Sequence, residues 1–156
     1  MSDAIKEVAA ALGGLLTPVI GFITVYIASQ QHRTNKLKLQ FDLYERRLKI
    51  YQALLEFISF VVSFPEMNAE EVRKLDMVRA ESFFLFGEDI PPYLSSIRDK
   101  AAEINSINSQ IKELASADRN PERARLVDQK LQLIEWFYRQ VDESKTKFCK
   151  YLSFPT

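Results

Sequence analysis

The sequence predicts an all-α protein: a single N-terminal transmembrane helix continues into a long juxtamembrane helix, and a cytosolic antiparallel helical bundle follows. Three observations carry this expectation. Residues 8–29 contain no charged side chain. Leu37, Phe41, Tyr44, Leu48, Tyr51, Leu55, Ile58 and Val62 recur in alternating steps of four and three without a break, the seam of a helix that packs on other helices. No stretch alternates apolar and polar residues as a half-buried strand does.

The elements follow in chain order. Residues 1–7 form a short extracytoplasmic start. The run from Val8 to Ser29 matches the roughly 20 apolar residues needed to cross a bilayer core. A helix buried in a soluble core rarely lacks polar residues on every face for so long. A cleaved signal peptide wants a positive start and a shorter apolar core, whereas Asp3 and Glu7 lie beside Lys6. A retained anchor is the expectation. Within it, Ala9, Gly13, Thr17 and Gly21 recur every four residues. Such a stripe of small residues lets two helices approach closely in lipid, so it is the expected association face.

Residues 30–50 read as a basic, coiled-coil-like stalk. Arg33, Lys36 and Lys38 follow the apolar run closely, and the positive-inside rule places the chain beyond them in the cytoplasm. Contact with lipid headgroups is expected for these three. The single cysteine, Cys149, fits a reducing compartment. Arg46 and Arg47 read first as a solvated helix face. With Arg119, Arg123 and Arg125 they are also the candidates for an anionic ligand, because cationic side chains suit phosphates.

Residues 50–156 read as the bundle. A second stripe, Ile50, Leu54, Phe57, Val61 and Phe64, joins the seam, so this half of the helix needs cover on more than one side. Phe64-Pro65 ends it. Asn68 and Glu71 form a capping box for a helix that stops at Gly87. The run Phe83-Phe84-Leu85-Phe86 reads as core, with a docking site as the alternative. Pro91-Pro92 opens the next helix, which reaches about Ala117 on Ile90, Leu94, Ile97, Ala101, Ile104, Ile107, Ile111 and Leu114. Asn108 lies close to that seam. Asn120-Pro121 starts the last helix, with Val127, Leu131, Ile134, Phe137, Val141, Phe148 and Tyr151 as its expected apolar face. Trp136 reads as core or interface.

Composition excludes several function classes. Acidic and basic residues balance at 21 each, so no bulk charge points to a nucleic-acid duplex. His32 is the one histidine, which leaves no zinc cluster and no histidine-based triad in the bundle. The four glycines form no phosphate-cradling loop. No catalytic residue, cofactor or metal is expected, and the chain does not read as an enzyme.

Three segments, Lys38-Leu39 with Leu43 to Tyr51, Phe84 to Ile90 with Tyr93-Leu94, and Trp136 with Phe148 to Leu152, together resemble a widespread group of small bacterial proteins. These have an N-terminal membrane helix and a cytosolic helical domain. The resemblance covers most of residues 36–152. It implies membrane placement and helical architecture, and it carries over no activity and no functional residue. The expected role is a membrane-anchored, oligomerising interaction or scaffold protein of the bacterial inner membrane, with the bilayer, further copies of itself and a protein or small anion as partners. The alternative is an effector of antiviral defence, in which the bundle senses an anionic signal such as a cyclic nucleotide and the membrane helices perturb the bilayer.

Overall fold

A computed structural model describes the backbone of residues 2–64, 69–114 and 121–153, and the side chains of these from residue 20 on, Ala69 excepted. Four helices follow one another: α1 (Ser2–Ser63), α2 (Ala69–Leu85), α3 (Ile90–Glu113) and α4 (Pro121–Leu152). The boundaries fall where backbone chemistry puts them. α1 stops before Pro65, a residue that disfavours helix in its predecessor. α3 begins with Pro91 and Pro92 in its first turn, where a missing N–H costs nothing. Asp89 precedes α3 at φ −88°, ψ −31° without a side-chain cap. α4 starts at Pro121 for the same reason as α3. Asn68, Asp118, Arg119 and Asn120 lie outside the described residues.

The chain divides into two compact units, Met1–Asp42 and Leu43–Thr156. In the first, α1 is alone, and Ile20, Phe22, Ile23, Val25, Tyr26 and Ile27 are all exposed, as are Leu37, Leu39 and Phe41. Thr24 and Thr34 turn their hydroxyls back to the carbonyls of Ile20 and Gln30, at 2.8 and 3.0 Å. Among the described residues, no helix is long and apolar enough to cross a membrane. This overturns the single N-terminal transmembrane helix expected over residues 8–29. Only residues 20–29 of the uncharged run carry described side chains. Gln30, Gln31, His32 and Arg33 follow that run directly. Of the expected association face, Ala9, Gly13 and Thr17 lie outside the described side chains. Gly21 borders open space, with nothing within 4 Å of a Cβ placed on it.

The second unit is the helical bundle. Its core takes Ile50, Leu54, Phe57, Ile58 and Val61 from α1, Leu75 from α2, Ile90, Leu94, Ile97, Ala101 and Ile104 from α3, and Leu133, Phe137 and Phe148 from α4. Each large side chain so buried contributes about 1.5–3 kcal/mol against exposure. On α1 the second stripe is buried at Ile50, Leu54, Phe57 and Val61, whereas the heptad seam is buried at Ile58 and only half-buried at Leu48, Tyr51, Leu55 and Val62. Asn108 is buried, at 8% exposure, close to the α3 seam. Trp136 is half-buried and meets Phe137 edge-on at 5.1 Å.

Two expected faces are corrected. α4 buries Leu126, Leu133, Phe137, Gln140, Ser144 and Phe148 and leaves Val127, Leu131 and Val141 exposed. The buried face lies one step round the helix from the apolar count, because it accepts Gln140 and Ser144. The Ser144 hydroxyl is satisfied by donating to the Val141 carbonyl at 2.8 Å. The aromatic run on α2 is split: Leu85 and Phe86 are half-buried, while Phe83 and Phe84 point to solvent. Consecutive helical residues cannot share one face, and Phe86 lies just past the end of α2.

Candidate functional site

α1 carries Arg47 to the C-terminal ends of α2 and α4. Its Nε donates to the Leu85 carbonyl at 2.8 Å and its Nη1 to the Tyr151 carbonyl at 3.5 Å. Both carbonyls belong to last helical turns, which hold unpaired acceptors and a partial negative charge. The guanidinium also lies over the rings of Phe86 and Tyr151, 5.9 and 5.5 Å from their centroids. Arg47 is therefore a clamp on two helix ends, not the solvated residue the sequence suggests.

The same corner closes on itself through Gly87. Its N–H donates to the Tyr151 Oη at 3.1 Å, and that phenol donates to Asp89 Oδ1 at 2.6 Å. Lys150 Nζ sits 2.9 Å from Asp89 Oδ2. The Tyr151 hydrogen bond, and then the Lys150 ammonium, hold the Asp89 carboxyl below its ordinary value. The Asp89 hydrogen bond raises Lys150 in turn. A Cβ on Gly87 would lie 2.6 Å from Tyr151 Oη, so this turn needs glycine for close approach. Behind it, Phe148 stacks at 5.2 Å on Tyr51 and at 5.1 Å edge-on to Phe86, which meets Tyr151 edge-on at 5.1 Å. Residues from the three segments that carry the resemblance thus meet in one cluster. Asp89 and Lys150 are spent on each other and Arg47 on carbonyls and rings, which suits a structural clamp better than a ligand site.

Among the described residues of the second unit, the cationic candidates do not share a place. Arg46 is exposed and forms no ion pair among the described residues. It lines a groove of about 590 Å³ with Lys49, Glu81, Phe84 and Leu85. Lys49 is paired with Glu45 at 2.9 Å. Arg123 and Arg125 are exposed at the opposite end of α4 from Tyr151, about 39 Å away for Arg125 at ~1.5 Å per residue. Arg119 lies outside the described residues. Arg33, Lys36 and Lys38 are exposed on the first unit. Among the described residues of the second unit, Arg46 is thus not brought together with Arg123 and Arg125.

Two buried polar spots remain. Gln140 Oε1 has no hydrogen-bond partner among the described residues. Its backbone carbonyl accepts from the Tyr93 phenol at 3.4 Å, a group whose ionisation burial pushes up. Arg98 Nε and Asp76 Oδ1 face each other at 3.4 Å beside a cavity of about 120 Å³ lined by Phe57, Val72, Ala101, Ala102 and Asn105. Among the described residues, no group of three His, Cys, Asp or Glu side chains stands ready for a metal ion.

The outer face of α4 is the feature that an apolar count assigns to the core. Val127, Leu131, Tyr138 and Val141 are 39%, 58%, 61% and 44% exposed, and half-buried Ile134 completes the 4-3-4-3 spacing. This is a coiled-coil seam turned outward. Asp128, Glu135 and Asp142, spaced by seven, run along one edge. The same spacing points to Tyr138 once Phe137 is not counted in its place. Comparison with family models, with curated proteins and with solved structures yields no match.

Proposed function

We propose that the chain is a helical interaction protein that assembles through apolar helix faces its own bundle leaves open. The observation that carries this reading is the outward seam of α4. A monomeric bundle gains nothing by placing Val127, Leu131, Tyr138 and Val141 on one exposed stripe, whereas a partner helix would bury it in knobs-into-holes contact. The acidic edge at Asp128, Glu135 and Asp142, of which Glu135 pairs with Arg139 at 2.9 Å, sets the partner's chemistry. Two α4 seams laid antiparallel would oppose these carboxylates to one another, so the fitting partner is an apolar helix with basic flanks. The α1 segment Met1–Asp42 supports the same role. Val, Ile, Thr and aromatic residues fill its exposed turns from Ile20 to Ile27, and these are poor helix formers without packing.

Photo-crosslinking inside the producing cell tests this without knowing the partner. A photoreactive residue replacing Leu131 should give a discrete protein adduct, and one replacing exposed Gln129 should not. Adducts no stronger at 131 than at 129 would remove the seam as an interaction face. The sensing alternative has no comparable observation: among the described residues, Arg47 is taken up by two helix ends, and Arg123 and Arg125 lie at the far end of α4.

A further inference from the structure

A second contact surface stands apart from α4. The groove lined by Arg46, Lys49, Glu81, Phe84 and Leu85, about 590 Å³ in volume, has a basic wall and an acidic-aromatic wall. Arg46 and Lys49 project from α1; Glu81 and Phe84 project from α2, three residues apart and on one face. Phe84 is 91% exposed and Met77, two turns before it on that face, 55%. Ala80, between them, is exposed too. Arg46 and Glu81 line the same groove with opposite charges, yet neither is ion-paired among the described residues.

We propose that this groove is a two-fold contact with a second copy of the chain. A rotation of 180° about an axis through the groove exchanges its walls. α1 of one copy then faces α2 of the other. Arg46 meets the partner's Glu81, and the partner's Phe84 lies against the Arg46–Lys49 wall, where a ring face suits a cation. The patch is complementary to itself in charge, which an isologous pair requires and a peptide partner does not. The unpaired charges and the bare Phe84 are then explained together. The patch spans two turns of α2, the size of a weak interface, so a dissociation constant on the order of micromolar is expected. The inference goes beyond the α4 reading and does not rest on it.

The test is light scattering and sedimentation of the full chain. The background carries Leu131→Gln with Tyr138→Gln, so that the α4 seam is silent. This background should still dimerise. Phe84→Ser should weaken the dimer roughly tenfold or more. Arg46→Glu and Glu81→Arg alone should each weaken it by about tenfold, since each sets like charges in contact. Combined in one chain they should restore it to within about threefold, because the two exchanged charges again meet as opposites across the axis. Every substituted side chain is exposed, and circular dichroism should show unchanged helix. A monomeric background would overturn the proposal. So would a double charge swap no tighter than its single members, or a dimer indifferent to Phe84→Ser. None of these outcomes bears on crosslinking at position 131.

Discussion

Leu37 and Phe41 stand on the same helix as Ile50 and Leu54, and the four are alike in chemistry. The first two are 67% and 55% exposed; the second two are 2% and 0%. Nothing in residue type or helical spacing separates them. What differs is the company: the Leu43–Thr156 unit brings α2, α3 and α4 to its part of α1, whereas the Met1–Asp42 unit contains that one helix. An apolar stripe states that a face wants cover. It does not state whether the chain itself supplies it.

The largest expected effect tests that contrast directly. Leu54→Ala removes a fully buried side chain and should cost about 2–5 kcal/mol of unfolding free energy. Leu37→Ala should change it by less than about 0.5 kcal/mol. Urea denaturation followed by circular dichroism decides. Equal losses would mean that Leu37 is covered in the folded molecule, and the comparison would collapse.

A second contrast lies in two neighbours. Arg47→Met leaves carbonyls at the ends of both α2 and α4 without their charged donor, and should cost about 2 kcal/mol. Arg46→Met should fall within about 0.5 kcal/mol, with its effect confined to self-association. Arg47→Lys should recover only part of the loss, because an ammonium cannot repeat the planar fork. If the two methionine variants proved equally stable, Arg47 would not be the clamp its geometry describes.

Gly87 sharpens the same corner. Gly87→Ala sets a methyl 2.6 Å from Tyr151 Oη, and the ring must shift, at a cost of about 1–3 kcal/mol. Tyr151→Phe removes the clashing oxygen and the bond to Asp89 together. In that background the alanine should cost clearly less, and the double-mutant cycle measures the coupling. Additive losses would show that the alanine acts elsewhere than on Tyr151.

How much of this is legible in the sequence depends on what kind of residue carries the information. Helix starts and stops are legible, because Pro65, Pro91, Pro92 and Pro121 act through their own backbone wherever they stand. The core stripe of α3 is legible too, since its apolar residues occupy one face only. α4 misleads because it carries apolar residues on two faces. The buried one includes Gln140 and Ser144, so counting apolar side chains favours the wrong side. Hydrophobicity alone sends Phe84 to the core, and its position on the helix, about 180° round from buried Leu75, is the signal against that. The expected membrane span is not met: among the described residues, no helix is long and apolar enough to cross a membrane. The Arg47 clamp is out of reach, because its partners are a carbonyl 38 residues away and another 104 away.

The smallest effect concerns pH. Asp89 is held below its ordinary value of 3.8, chiefly by the Tyr151 phenol and then by Lys150. A carboxyl whose ionisation is favoured in the fold stabilises it above the unfolded value, and that contribution is lost as pH falls through the lowered folded value. The side chain is 40% exposed, so solvent screens the pair and the contribution is only about a few tenths of a kcal/mol. Asp89→Asn should therefore be slightly less stable than the natural chain at about pH 6, and the gap should narrow toward about pH 3. Added salt at the higher pH should remove the Lys150 share and leave the Tyr151 share, because a 2.6 Å hydrogen bond is screened far less than an exposed ion pair. A gap that stays constant across this range would mean that Tyr151 binds the neutral acid as well as the carboxylate, and Asp89 would then be a hydrogen-bonded spacer between α2 and α4 whose charge is irrelevant.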